Sequence, residues 1–404
     1  MDEKVKAAHG SGRIRELTRS EIRIMSVECE KVGGINLSQG VCDLPLPPVL
    51  AGEAKAAIDG GQNHYTRFDG TDALRKAVAK KLAHYNQISV NPETEVIVTA
   101  GATGAFYSAC LALLNPGDEV ILFEPFYGYH EYTLLALGIV PLYARLNPPE
   151  WRFDPEAVER LITPRTRGMM VNTPTNPSGK VFSREELKLL ADICKRHDLL
   201  LFTDEIYEYI VYDGRTHLSP GAIDGVRDRA VTISGCSKTF SITGWRIGYA
   251  ACCEELASPI GCASDLVYVC APAPLQEGVS RAMEELPESF YTSLRQGYEH
   301  KRNLVCSALS QAGLPPYIPQ GAYYVLADVG CLPGETAKEK AMYILNKTGV
   351  ATVPGDAFYR HGGGENLARL CFAKEDGVLE EACERLQALK RNSSMTQRED
   401  LCSE

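Results

Sequence analysis

The sequence is short of several things, and each gap removes a class of function. No apolar run approaches the roughly 20 residues that a bilayer-crossing helix needs, so no membrane partner is expected. Near the N-terminus there is no cationic segment followed by an apolar stretch and a cleavage site. Positive charge is in deficit: 42 Lys and Arg against 52 Asp and Glu leave a formal net charge of −10. Nucleic-acid binding rests on clustered cations, so a polyanion partner is not expected either. The 14 cysteines show neither CxxC spacing nor paired Cys/His clusters, which argues against zinc and against a disulfide framework. No metal site is expected. These gaps point to a reducing cytoplasm, with cysteine used as a small core residue. The GxGxxG fingerprint of dinucleotide binding is also missing.

What is present is an ordinary globular composition. The 404 residues correspond to two to three domains on length alone, and 45% hydrophobic residues suffice for a large core. The segment from Met1 to Arg13 is polar and reads as a flexible arm, whereas Ile14 to Val32 carries Ile22, Met25 and Val27 among charges and reads as a helix. A Pro-rich stretch, Leu44 to Pro48, follows Leu37-Ser38-Gln39-Gly40-Val41-Cys42-Asp43. Cys42 there is either a reactive thiol or a packed one. After the loop His64 to Arg67, Leu74, Val78 and Leu82 fall on one helix face at four-residue steps.

From residue 95 the chain repeats strand, turn and helix. Glu95 to Thr99 is β-branched and ends at Ala100-Gly101-Ala102-Thr103-Gly104, before a buried helix from Ala105 to Leu114. Free N–H groups and the dipole at such a helix start favour a phosphate, although the same pattern serves nucleotides or tight packing. Val120 to Phe123 ends in the aromatic cluster Phe126-Tyr127-Gly128-Tyr129. Met169 to Val171 leads to Asn172-Thr173-Pro174-Thr175-Asn176-Pro177-Ser178-Gly179, a dense run of turn formers that gives way to the capping pattern Ser183-Arg184-Glu185-Glu186. Two prolines bracketing Asn176 suggest a side chain held in place, against the alternative of a plain turn. Leu199 to Phe202 is continuously apolar, as a parallel strand covered on both faces should be, and it ends at Asp204. Ligands bind beyond the carboxyl ends of such strands, which places Asp204 beside a ligand; the competing role is a helix cap.

The stretch Ser234-Gly-Cys-Ser-Lys238-Thr-Phe-Ser-Ile-Thr-Gly-Trp-Arg246-Ile-Gly-Tyr249 sets a lysine and an arginine among small residues. Small residues allow a ligand close to the backbone, Lys238 is a potential amine nucleophile, and Arg246 offers a fork that fits a phosphate. Farther on, Gly321 to Val325 and Gly349 to Gly355 read as short strands. Leu367 to Phe372 alternates as a strand carrying one arginine, Arg369, which taken by itself reads as a solvated strand residue. Leu379, Cys383 and Leu386 mark a last amphipathic helix before a polar tail.

The run from Gly235 to Gly248 resembles the lysine signature of class I and II aminotransferases, pyridoxal-phosphate (PLP) enzymes of fold type I, and the resemblance extends from about Leu37 to Leu386. It implies an α/β fold: a large domain with a mainly parallel seven-stranded sheet between helices, and a smaller α+β domain. The corresponding boundaries are 1–36 for the arm and its helix, 37–275 for the large PLP-binding domain, 276–390 for the small domain joined by the arm, and 391–404 for the tail. By resemblance Lys238 forms a Schiff base with PLP and moves the substrate's α-proton, Asp204 keeps the pyridine nitrogen protonated, and Tyr207 joins them in catalysis and cofactor binding. Gly101, Ala102, Thr103, Ser237 and Arg246 would hold the phosphate. Tyr127, with Phe126 as the competing choice, would stack on the ring. Asn176, its bond to Pro177 typically cis, would reach the phenolic oxygen and the substrate carboxylate; Gly40 and Arg369 would face that carboxylate. Tyr65 would cross a homodimer interface to the neighbour's phosphate.

Two departures stand out. The family usually has proline where Cys42 stands, and many members carry a hydroxyl residue where this chain has Gly235, a loss of one phosphate donor worth about 1 kcal/mol. The activity implied is transfer of an amino group from an L-amino acid to a 2-oxo acid. PLP-dependent elimination, replacement or cyclisation begins from the same carbanion and stays open. A PLP-sensing transcription regulator is a third reading, against which stand the acidic balance and the lack of room before Leu37 for a DNA-reading module.

Overall fold

The computed structural model describes residues 11–15, 17 and 20–400. The first ten residues and the last four, expected above as arm and tail, lie outside them. Seven segments form one sheet: β2 (Val96–Ala100), β3 (Glu119–Glu124), β4 (Val140–Arg145), β5 (Thr166–Asn172), β6 (Leu200–Asp204), β7 (Ala230–Gly235) and β8 (Ile247–Ala251), preceded in the chain by β1 (Ile35–Asn36). The strand order is β2-β8-β7-β6-β5-β3-β4. Only β8 runs against its neighbours; every other pairing in the sheet is parallel.

The apolar runs explain why this sheet lies inside. Side chains alternate between faces along a strand. Ile121, Phe123, Met169, Val171 and Leu201 accordingly join one core, whereas Val120, Leu122, Met170, Phe202, Val231 and Ile233 join another on the opposite side. Helices close both faces. One of them, Arg184–Arg196, begins with the capping box expected at Ser183 and Glu186.

The C-terminal part builds two further sheets. β9 (Pro316–Tyr317), β10 (Tyr324–Asp328), β12 (Val353–Pro354) and β13 (Leu367–Cys371) form an antiparallel sheet in the order β12-β13-β10-β9. β1 pairs in parallel with β11 (Val350–Ala351), with Ile35 opposite Val350, and this ties the start of the chain to its end.

Two expectations are corrected. The helix expected over Ile14 to Val32 is two pieces, Gly12–Arg15 and Glu21–Lys31. Ser20 stands at the break in extended backbone (φ −58°, ψ 120°), which starts a new helix instead of continuing the old one. In the second piece the buried face is Met25 and Cys29, four residues apart, packed on Ala341, Leu345 and Ala351; Val27 is exposed. At the other end, the polar tail is not separate from the last helix, which runs Asp376–Asp400.

A buried polar cluster lies beyond β6. Glu205 accepts from Thr203, Ser219 and Asn86 and meets His217 Nε2 at 2.7 Å. Glu208 is paired with Lys81 and accepts from Asn86 at 2.8 Å and Ser234 at 2.8 Å. Lys81 ends the helix Asp72–Lys81, and Asn86 ends the π-helical turn Leu82–Asn86 that follows it. Glu205, Glu208 and His217 could ligate a cation by residue type, but the Lys81 ammonium already supplies the positive charge.

Candidate active site

A cavity of about 460 Å³ opens at the carboxyl ends of the parallel strands, where an open α/β sheet binds its ligands. Lys238 enters it from the loop after β7, Asp204 from the end of β6, Asn176 from the loop after β5, and Tyr127 from the segment after β3. Arg369, on β13, closes the opposite wall.

Lys238 Nζ donates to the Gly40 carbonyl at 3.1 Å and stands 5.6 Å from the Tyr323 ring centre. Enclosure by protein pushes its pKa below the ordinary lysine value, and the Arg246 guanidinium pushes the same way. A larger share of neutral, nucleophilic amine near neutral pH follows. Gly40 is required by contact: a Cβ there would lie 1.9 Å from the Tyr324 hydroxyl oxygen. Cys42 is packed, its thiol accepting from the Tyr298 hydroxyl at 3.4 Å.

The helix Gly101–Leu113 points its first turn at the cavity, with Ala102 and Thr103 in the lining and no side chain capping its start. Gly101 has φ +75°, and a Cβ on it would sit 2.5 Å from Arg246 Nη2. Arg246 itself is left-handed (φ +59°), a costly conformation for a residue with a side chain. Its guanidinium donates to the carbonyls of Thr243 at 2.9 Å and Ala100 at 3.4 Å. Gly248 lies beneath: a Cβ there would meet the Gly101 backbone at 2.5 Å, so glycine lets the helix start settle onto β8. Gly235, the departure from the hydroxyl residue that many class I and II aminotransferases carry, sits opposite Gly248 in the register; a Cβ would lie 3.1 Å from that glycine's Cα.

Asp204 does not cap a helix. One carboxylate oxygen accepts from the Ile206 amide at 3.2 Å, and the other meets His130 Nε2 at 2.9 Å. Asn172 braces the same place, donating to the Asp204 carbonyl at 2.9 Å and accepting from the Asn176 amide at 2.8 Å. The Asn176–Pro177 bond is cis. Arg369 is fully buried; one terminal nitrogen donates to Asn176 Oδ1 at 3.0 Å, the other to the Ser38 carbonyl, and Nε has no partner among the described residues. The guanidinium lies 4.3 Å over the Tyr324 ring, whose hydroxyl meets that of Tyr207 at 3.1 Å. Burial pushes the Tyr207 phenol well above its usual pKa, so it stays a neutral donor.

The cavity thus gathers Gly40, Ala102, Thr103, Tyr127, Asn176, Asp204, Tyr207, Ser237, Lys238, Arg246 and Arg369. Between the competing aromatics, Tyr127 lines it and Phe126 packs against Tyr143 instead. Tyr65 lies outside, 81% exposed. Sequence reasoning missed His130, Tyr324 and Arg23, which also contribute to the wall or its supports. The one local sign was a histidine next to the Tyr127–Tyr129 cluster.

The family model for aminotransferase class I and II matches residues 32–386. The chain belongs to that family. This aminotransferase is 34% identical over 388 residues to a probable N-succinyldiaminopimelate aminotransferase, DapC, of Mycobacterium tuberculosis, covering 93% of this chain and 98% of the relative. The solved N-succinyldiaminopimelate aminotransferase of that organism superposes with a TM-score of 0.91 at 34% identity, covering 94% of this chain and all of the other. Kynurenine–oxoglutarate transaminase 3 of Rattus norvegicus is 34% identical, covering 86% of this chain and 83% of the relative. YbdL from Escherichia coli, whose structure is reported with a methionine aminotransferase function, gives a TM-score of 0.90 at 30% identity over 94% and 99% of the two chains. The enzyme is a PLP-dependent aminotransferase of fold type I. The cavity fits that cofactor on its own terms: an uncapped helix start beside an arginine suits a phosphate, and a buried amine of lowered pKa suits an aldehyde.

Proposed function

We propose that Lys238 carries PLP covalently and moves the substrate's α-proton, while Arg369 holds the α-carboxylate of an L-amino acid whose amino group passes to a 2-oxo acid. One observation carries this: the cavity holds an enclosed amine of lowered pKa together with two separate anion sites, the Gly101–Arg246 corner and the Arg369 guanidinium, whose Nε has no partner among the described residues. PLP, when bound, supplies an electron sink for the negative charge left at the α-carbon.

The chain's own residues divide the rest. Gly101, Ala102, Thr103, Ser237 and Arg246 would hold the phosphate, and Tyr127 would flank the ring. Asp204, oriented by His130, would keep the ring nitrogen protonated. Asn176 and Tyr207 would orient the ring's phenolic oxygen, and Asn176 with Gly40 and Arg369 would fix the substrate carboxylate. Lys238 Nζ, neutral once displaced by the incoming amine, takes the α-proton and returns it. We read residues 37–275 as the cofactor-bearing domain and 276–390, joined by the arm 1–36, as the smaller one. A cytoplasmic homodimer, with Tyr65 reaching the partner's phosphate, completes the reading.

The relatives' names span N-succinyldiaminopimelate, kynurenine with oxoglutarate, and methionine. That spread makes the side-chain pocket, not the reaction, the variable part. Borohydride reduction of the holoenzyme followed by peptide mapping should place the cofactor on Lys238, and Lys238→Ala should lose both the adduct and all turnover. An adduct on a different lysine overturns the assignment.

A further inference from the structure

A second cavity, of about 620 Å³, shares no lining residue with the catalytic one. That volume is ordinary for a small-molecule site. Part of its wall is the segment Lys180, Val181 and Phe182, which joins the Asn172–Gly179 loop to the helix Arg184–Arg196. Phe153 and Leu189 add apolar surface.

Charge there is unbalanced. Among the described lining residues, Arg152, Lys180 and Arg215 stand against Glu150 and Glu186. Glu186 is already engaged: one oxygen accepts from Lys180 Nζ at 2.6 Å and the other from the Ser183 amide at 2.9 Å. Lys180 is 3% exposed, yet of its three N–H donors only the one to Glu186 has a partner among the described residues. Arg215 shares Asp213 with Arg302, which holds both oxygens of that carboxylate. Arg152 is exposed, and no carboxylate among the described residues, Glu150 included, comes within ion-pair distance of it. A buried cation with donors free, an unpaired guanidinium and apolar side chains in one hollow form a receptor for an organic acid.

The same wall is bonded to the catalytic loop. The Lys180 carbonyl accepts at 2.9 Å from the amide of Thr175, the residue before Asn176, and the Phe182 amide donates to Thr173 Oγ1 at 3.3 Å. Gln320, also in the lining, donates its amide to the Gly179 carbonyl at 2.9 Å and accepts from the Val181 amide at 3.1 Å. A ligand seated on Lys180 therefore bears on the loop that carries Asn176.

We propose that this cavity is a second binding site, for a small organic acid with an apolar body, and that its occupant alters turnover through the Asn172–Gly179 loop. The effect on turnover rests on the role given above to Asn176; the binding does not.

Calorimetric titration of the PLP-loaded enzyme with hydrocinnamate, and with hydrocinnamyl alcohol as its uncharged counterpart, tests the binding. Because the acid can also enter the catalytic cavity, the titration is repeated on Arg369→Gln. In both proteins the acid should occupy the second site with a Kd on the order of 1 mM or tighter, about tenfold tighter than the alcohol. Arg152→Gln should weaken that site about tenfold and Arg152→Glu should abolish it, whereas Leu189→Gln should weaken acid and alcohol alike. Arg152 and Leu189 are exposed, so these changes spare the core, and without the acid the variants should turn over as the wild type does. With both substrates saturating, a competitor in the catalytic cavity is displaced, yet the acid at the second site should still change kcat by about twofold or more, and should not do so in Arg152→Glu. The proposal is overturned if acid and alcohol bind alike to Arg369→Gln, or if Arg152→Glu binds the acid as the wild type does. Arg152-dependent binding with kcat unchanged overturns the effect on turnover.

Discussion

Gly40 shows how tightly single residues are specified around the lysine. Its carbonyl accepts from Lys238 Nζ and from the Tyr323 hydroxyl, each at 3.1 Å, and its missing side chain is where the Tyr324 hydroxyl sits. Tyr324 cannot step aside cheaply, because its ring lies under Arg369 and its hydroxyl meets Tyr207. Gly40→Ala should therefore lower kcat/KM on the order of a hundredfold, as a shift of about 1 Å in positioned groups does. Tyr324→Phe in that background removes the atom nearest the new methyl and should recover part of the loss, more than the two single effects would add to. Steady-state kinetics on the four proteins measures this coupling. Gly40, Lys238 and Arg369 were legible in the sequence because each sits in a local motif. His130 and Tyr324 were not, since their partners lie 74 and 117 residues away in the chain, at Asp204 and Tyr207. No local period reports such pairings.

Among the elements, the strands were the easiest to read and the arm the hardest. A parallel strand covered on both faces writes itself as an unbroken apolar run, as Leu199 to Phe202 does. The arm helix buries a short face of Met25 and Cys29 and begins at a serine with no side-chain cap bond, so the sequence carries little sign of its start. The junction of the helix Asp72–Lys81 with the turn Leu82–Asn86 carries a testable load. Burial by itself would raise the Glu208 pKa, yet Lys81 and His217, with hydrogen bonds from Lys81 and Asn86, hold it below the ordinary 4.5. A carboxyl depressed in the folded state adds stability that is present above its unfolded pKa and is lost as the pH falls through the folded value. Lys81→Met strands the buried carboxylate and should cost about 3–5 kcal/mol at pH 7 by denaturant unfolding. The deficit should shrink below pH 4.5 as the carboxylate protonates in both states. Lys81→Met with Glu208→Gln should be less destabilised than Lys81→Met alone.

At the scale of the whole molecule, the proposed homodimer would cover apolar side chains that a lone chain leaves in water. Tyr65 and Leu266 are 81% and 83% exposed, and Phe68, beside Tyr65 in sequence, packs on Gly261 of the helix Glu254–Tyr268 that carries Leu266. Sedimentation velocity should give twice the 44.2 kDa chain mass. Leu266→Glu should shift the protein toward monomer, with activity falling on dilution, and Tyr65→Phe should stay dimeric while releasing PLP about tenfold more readily. A monomer of full activity would remove the basis for Tyr65's role. This level was the least legible of the three, because sequence pattern separates inside from outside and does not distinguish water from a neighbouring subunit.

The pairing of β1 with β11, together with Met25 and Cys29 packed on Ala341 and Leu345, fastens the arm to the C-terminal part that bears Arg369. Asp204 ends a strand of the seven-stranded sheet, and Lys238 and the Gly101 corner follow directly after two of its other strands. In the proposed reading, the grip on the substrate carboxylate and the reacting amine would thus belong to different stretches of the chain. Substitution on the arm helix, away from Gly40, would then shift how the Arg369 side of the cavity is seated while leaving the Gly40–Lys238 contact in place.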